Sequence, residues 1–154
     1  MMSAQVYKVT EANPRFDAEL AGLLKETGLG SREPGGGVVY AAFDSDGSLA
    51  GAASARLMET ECLFKYVAVT EARRGKGLGS SLVGKALTFC SGECERAWVI
   101  SDEDSASFFT RFGFEMTTSD MIPDLLRRSR DLGEVEIASL RVLLLEFPAK
   151  WPKV

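Results

Sequence analysis

One stretch constrains this chain more than any other. An apolar strand, Val67-Ala68-Val69, passes through Thr70-Glu71-Ala72-Arg73-Arg74 into Gly75-Lys76-Gly77-Leu78-Gly79-Ser80 and on into a helix. Three glycines alternating over five residues strip Cβ atoms from the turn, so successive backbone N–H groups can close round an anion without steric cost. A helix predicted from about Gly77 brings its unpaired N–H groups and the positive end of its dipole to the same point. Such a turn is built to hold a phosphate.

Strand, glycine turn and helix serve several unrelated phosphate ligands, and the spacing separates them. A P-loop needs Ser or Thr directly after its Gly-Lys, but Gly77 follows Lys76, so the magnesium-binding hydroxyl is missing. A dinucleotide fold needs Gly-x-Gly-x-x-Gly, which Gly75-Lys76-Gly77-Leu78-Gly79 breaks, and its turn does not normally carry Arg-Arg and Lys. What remains, Arg74-x-x-Gly77-x-Gly79 after an apolar strand, resembles the pyrophosphate-binding motif of the GNAT superfamily of N-acetyltransferases. In that superfamily the turn holds coenzyme A.

A second segment, Ala106-Ser107-Phe108-Phe109-Thr110-Arg111-Phe112-Gly113-Phe114, resembles the superfamily's later helix and Gly-Phe turn, and lies about thirty residues beyond the first. The resemblance implies one mixed α/β domain over residues 1–154. Its central sheet, of about six to seven mostly antiparallel strands flanked by helices, would splay between the fourth and fifth strands to admit the acetyl-pantetheine arm. It also implies that Val67, Ala68 and Val69 align the pantetheine. Arg73, Arg74, Gly75, Lys76, Gly77, Leu78, Gly79 and Ser80 would hold the pyrophosphate, with Phe109 packed beside the thioester.

Composition narrows the class further. At 154 residues with 45% hydrophobic content the chain fits one compact core. Its net charge of −4, without an extended basic run, gives nucleic acid little to bind, so the Arg73, Arg74 and Lys76 cluster points to a small polyanion. The amino terminus lacks an apolar core, and the longest aliphatic run, Val142 to Leu145, is far short of a membrane span. A cytoplasmic protein with no membrane partner is expected. Histidine is absent, which excludes Ser-His and Cys-His nucleophiles and argues against zinc. Cys62, Cys90 and Cys94 read as reduced, small apolar residues, so no metal site is expected.

Along the chain, Gln5 to Thr10 alternates as a strand, and Asn13-Pro14 opens a helix that buries Phe16, Leu20, Leu23 and Leu24 and closes at Gly28. Leu29 to Gly37 reads as a mobile loop, which the resemblance would place at a wall of the acceptor site and which its own residues equally allow to be a plain connector. Val38 to Phe43 and Leu49 to Met58 are predicted strands joined at an Asp46-Gly47 turn, and the small residues Gly51, Ala52, Ala53 and Ala55 let a helix approach closely. Cys62 to Val69 is the central strand, followed by a helix with an apolar stripe of Leu82, Val83, Ala86, Leu87 and Cys90. Ala97 to Ile100, a helix from about Ser105 to Arg111, Phe114 to Thr117, a Pro123-led basic helix and a last strand from Ile137 to Phe147 complete the list.

Acetyl transfer to an amine needs a base, a polarised carbonyl and a thiolate that can leave. Glu59 and Glu61, at the start of the central strand, stand near where superfamily members often place a glutamate base, although both also read as solvated turn residues. Asp102 and Glu103 read first as helix-front charges. The matching position for the Tyr that protonates the departing thiolate is Phe109, which cannot donate, so Tyr66, Ser105, Ser107 or water could substitute, although Tyr66 also reads as a sheet-packing residue. The Phe108-Phe109 pair, the Gly-Phe turn and Met121-Ile122-Pro123-Asp124 resemble a narrower group, the N-acetylglutamate synthase catalytic domains and arsenic-operon-associated N-acetyltransferases. This implies an amino-acid-like acceptor whose carboxylate Arg127, Arg128 and Arg130 could bind, although such a run on a short helix also reads as a solvated face. The expected activity is acetyl-CoA-dependent N-acetylation of a small primary amine. A protein or peptide N-acetyltransferase and a non-catalytic acetyl-CoA-binding module are the alternatives, and superfamily members often pair as homodimers.

Overall fold

The structure, a computed structural model, describes residues 5–9, 14–29, 37–129 and 140–148. Its elements are β1 (Val6–Lys8), α1 (Pro14–Glu26), β2 (Val38–Phe43), β3 (Leu49–Met58), β4 (Glu61–Val69), α2 (Leu78–Glu93), β5 (Arg96–Ser101), α3 (Glu103–Thr110), β6 (Glu115–Thr117), α4 (Asp124–Arg127) and β7 (Arg141–Glu146). The class is mixed α+β with seven strands, as expected. The chain divides into two compact units interleaved in sequence: residues 1–56 with 65–89, and residues 57–64 with 90–154. Strand β4 contributes residues 65–69 to the first and 61–64 to the second.

In the first unit β1 pairs antiparallel with β2, and β2 with β3. The β2–β3 connection is the Asp-Gly turn the sequence announces: Gly47 takes φ 85° and its N–H bonds Asp44 O at 2.9 Å. Helix α1 buries Phe16, Leu20, Leu23 and Leu24 against Ala41, Leu49, Ala52, Tyr66 and Ala68. It ends where Gly28 turns left-handed at φ 79°. Helix α2 seats Leu78 and Leu82 on Ala42, Ala50 and Ala53. A Cβ at Gly51 would lie 3.0 Å from Leu82 Cδ1 and from Ala68 O, so the small residues of β3 are what allow this close approach.

In the second unit β4 and β5 run parallel through four pairs, Glu61↔Arg96 to Phe64↔Val99. β5 pairs antiparallel with β7, and β7 with β6. The core gathers Leu63, Trp98, Ile100, Ile122, Leu126 and Val142. Asp102 caps α3 by accepting from Ser105 N–H at 2.7 Å, and Gly113 closes the following turn at φ 95°. The Leu29 to Gly37 loop, Arg130 and the first part of the predicted last strand fall largely or wholly outside the described residues. Among the described residues no helix is long and apolar enough to cross a membrane.

Candidate functional site

The glycine turn lies in the first unit, and its backbone has the form its sequence predicts. After β4 a short 3-10 turn, Glu71–Arg73, reverses the chain through Arg73 N–H to Thr70 O at 2.9 Å and Arg74 N–H to Glu71 O at 3.2 Å. Gly75 and Gly77 then take φ 76° and 81°, a left-handed conformation costing an L-residue roughly 1–2 kcal/mol. Helix α2 starts at Leu78, and the first N–H with a helical acceptor is that of Ser81, bonded to Gly77 O at 3.1 Å. The N–H groups of Leu78, Gly79 and Ser80 therefore have no intrahelical acceptor. No acidic residue occupies the first turn of α2, so nothing there opposes an anion at its positive end.

The three cations around this turn have different duties. Arg73 is 20% exposed and forms an ion pair with Asp44 at the entry to the β2–β3 hairpin, its Nε donating to Asp44 Oδ1 at 2.6 Å. Arg74 is exposed and anchors itself by donating from Nε to Val69 O at 3.2 Å. Lys76 is exposed between the two left-handed glycines. Upstream, Val67 and Val69 pack on the α2 side of β4 while Tyr66 and Ala68 face α1. Burial pushes the Tyr66 hydroxyl up to about 12 despite a hydrogen bond with Ser54.

At the start of β4 the two predicted carboxylates differ sharply. Glu59 sits exposed in the β3–β4 turn and is the only non-glycine among the described residues with a left-handed backbone, at φ 54°. Glu61 is 4% exposed. Both of its oxygens are engaged: Arg96 grips it with Nη2 on Oε1 and Nε on Oε2 at 3.2 Å, and Trp98 Nε1 donates to Oε2 at 2.8 Å. Sequence reading missed these partners. No local sequence signal could have found them, because the pairing arises only from the parallel register that places Glu61 opposite Arg96.

Phe109 lies in the second unit within an aromatic cluster, with ring centroids 5.1 Å from Phe108, 5.9 Å from Phe114 and 6.3 Å from Phe64. The cluster has no proton donor of its own. Arg127 and Arg128 are both exposed, and Arg127 is tied to its own segment, donating to Ile122 O at 3.2 Å and to Ser119 O. Asp102 acts as a helix cap.

A family model for the acetyltransferase (GNAT) family matches residues 5–114. No curated protein matches the sequence significantly. Among solved structures, N-acetylglutamate synthase from Neisseria gonorrhoeae, complexed with coenzyme A and N-acetyl-glutamate, is similar with a TM-score of 0.72 and 16% identity over 96% of this chain. The chain spans 36% of that enzyme's length. A GNAT-family acetyltransferase from Staphylococcus aureus Mu50 gives a TM-score of 0.73 and 12% identity, covering 95% of this chain and 100% of its own. The IAA acetyltransferase from Bacillus cereus ATCC 14579 gives 0.65 and 19%, covering 94% and 100%. At such identities the likeness concerns the fold.

Proposed function

The chain belongs to the acetyltransferase (GNAT) family, and from that premise we propose that it moves an acetyl group from acetyl-CoA to the primary amine of an amino acid or analogue. One observation carries the donor half of this reading. It is the left-handed Gly75 and Gly77 leading into the open, acid-free front of α2. There the N–H groups of Leu78, Gly79 and Ser80 meet the diphosphate, with Arg74 and Lys76 adding positive charge and Arg73 bracing the turn. The backbone of Val67 to Val69 runs directly into this turn and aligns the pantetheine amides by strand-like pairing. Support for an amino-acid acceptor comes from the fold shared with N-acetylglutamate synthase and from exposed Arg128 near the Pro123-led helix.

Proton transfer falls to different groups than an ordinary acid–base pair. Glu61 is held by Arg96 and Trp98, and Tyr66 keeps its proton until about pH 12. Glu59 keeps an exposed carboxylate and is the proposed acceptor of the amine's proton, by way of water. A primary amine with a pKa near 10 is neutral in about one part in a thousand at pH 7, so the rate follows the neutral fraction upward with pH. A thiolate with a pKa near 8.5 leaves without strict need of an acid, which makes Phe109 tolerable at the place of a tyrosine.

The test is thiol release from acetyl-CoA against a panel of free amino acids, their analogues and lysine peptides. Turnover on amino-acid amines supports the proposal, and turnover only on peptides moves the acceptor to proteins. If acetyl-CoA raises the melting temperature but no amine is acetylated, the chain is a binding module. If acetyl-CoA leaves the melting temperature unmoved, the donor half is wrong.

A further inference from the structure

Cys62 meets Cys90 and Cys94, some thirty residues further along the chain, in the second unit. Cys62 stands on β4, Cys90 on the last turns of α2, and Cys94 immediately after α2. Their Sγ atoms all lie within 4.8 Å of one another, and all three are free thiols. The local fold holds the set together: Cys94 N–H bonds Cys90 O at 2.8 Å, its thiol reaches the same carbonyl at 3.0 Å, and Glu95 N–H bonds Thr60 O at 2.8 Å. Cys62 and Cys90 are wholly buried and Cys94 is 5% exposed. Cys94 also lines an open pocket of about 780 Å³ that it shares with Thr60, Glu95 and Arg96. Of the three, Cys94 thus borders the pocket, while Cys62 and Cys90 are fully enclosed.

The donor set limits what could bind. Around a pyramidal three-coordinate ion with ion–sulfur bonds near 2.3 Å, the sulfurs stand about 3.5 Å apart, so closing from the observed spacing needs at most about 1.3 Å of change in any one pair. The chain contains no histidine, and among the described residues no carboxylate oxygen joins the group. Structural zinc takes four protein ligands and iron–sulfur clusters take four cysteines, so neither suits this set. A soft ion satisfied by three sulfurs does. Charge then selects among soft ions. Three thiolates leave a monovalent ion with a net −2 and a divalent ion with −1, while a trivalent one is neutral, and net charge in so buried a place is costly.

We propose that Cys62, Cys90 and Cys94 form a binding site for a soft trivalent ion of the arsenite or antimonite kind. The neutral trihydroxide enters past Cys94. Three ion–sulfur bonds form while three ion–oxygen and three S–H bonds break. Each hydroxide leaves as water with one thiol proton, and nothing is oxidised or reduced. The site does not depend on the glycine turn or on any acetyl transfer.

The experiment exposes the full chain, kept reduced with a phosphine, to arsenite alone and to antimonite alone, both in the native state and during refolding, followed by gel filtration and intact mass measurement. The expected product is one ion per chain, with a mass gain equal to the ion less three hydrogens and a raised melting temperature. Cys94→Ser, which touches the least buried sulfur, is expected to weaken retention by at least about tenfold, the loss that a supporting partner of a metal site alone can cause. Retention by neither loading route, a gain corresponding to fewer than three lost hydrogens, or equal retention by the Cys94→Ser variant overturns the proposal. Equal stoichiometry and affinity for zinc(II) overturns it too, because it would reveal a fourth ligand. Should Cys94→Ser not fold, the mass gain of the unaltered chain decides the matter by itself.

Discussion

The two ends of β4 treat their charged residues in opposite ways. At its start, Glu61 is buried and both oxygens are taken by Arg96 and Trp98. At its end, Arg74 and Lys76 stand exposed around a left-handed backbone, and among the described residues only Arg73 of the three has a carboxylate partner, Asp44. A charge satisfied inside the protein fixes strand register and is poorly placed to exchange protons. A charge left facing water costs little to the fold and remains available to a ligand. The difference teaches that residue type alone, a glutamate here or an arginine there, does not mark a functional group, whereas its remaining hydrogen-bonding capacity does.

The largest effect that can break this contrast belongs to Gly77→Glu. A Cβ there meets no neighbour, but φ 81° imposes roughly 1–2 kcal/mol of strain and the new carboxylate enters an anion site. The acetyl-CoA-induced rise in melting temperature is expected to vanish and kcat/KM to fall by at least about a hundredfold, as when one preorganised donor is lost elsewhere. Retained binding would mean that the exposed end of β4 holds no diphosphate. Glu61→Gln probes the other end. Breaking a buried pair costs about 3–5 kcal/mol, but Arg96 is 42% exposed and can turn to water, so about 2 kcal/mol in a urea melt is expected. The KM for acetyl-CoA should change little. A variant as stable as the parent yet without turnover would instead make Glu61 the base.

The local features of both ends were legible in the sequence. Glycine alternation gave the turn, the spacing of Leu82, Val83, Ala86 and Cys90 gave α2, and Pro14, Gly28 and Gly113 gave boundaries, because each acts through its own or adjacent dihedrals. What could not be read was cross-chain pairing. Glu61 meets partners 35 and 37 residues away, and Arg73 meets one 29 residues away. Those meetings depend on strand register, which one residue of slip would abolish. The cysteines failed for the same reason. Cys90 and Cys94 are four residues apart, whereas Cys62 is brought to them by tertiary packing around the parallel β4–β5 pair.

Between the two ends lies Tyr66, whose behaviour in alkali sharpens the idea of a buried, satisfied group. Its hydroxyl is pushed up to about 12 by burial, from an ordinary value near 10. Below pH 10 both folded and unfolded chains hold the proton, so the contribution to stability is constant. Between pH 10 and 12 the unfolded chain ionises first, and stability falls with rising pH at up to about 1.4 kcal/mol per unit from this group. Tyr66→Phe is expected to make urea-melt stability less steep across that window. An unchanged slope would mean that the hydroxyl is reached by water and remains a candidate acid.

The smallest effect is the most discriminating, since it asks what the Asp44–Arg73 pair does for the exposed end. An ion pair of this exposure contributes at most about 1 kcal/mol, or about fivefold in an affinity, so Asp44→Ala should barely move the urea midpoint. If Asp44 only aims Arg73 at the diphosphate, Arg73→Ala raises the KM for acetyl-CoA more than Asp44→Ala does, and the double variant matches Arg73→Ala. If the pair serves only to tie the β2–β3 hairpin to the turn, the two single variants and the double variant all show the same loss, because either truncation removes the whole interaction. Raising the salt concentration separates these further. A phosphate contact by exposed Lys76 weakens with ionic strength, so the KM penalty of Lys76→Ala should shrink in high salt, whereas a loss caused by a loosened hairpin should persist.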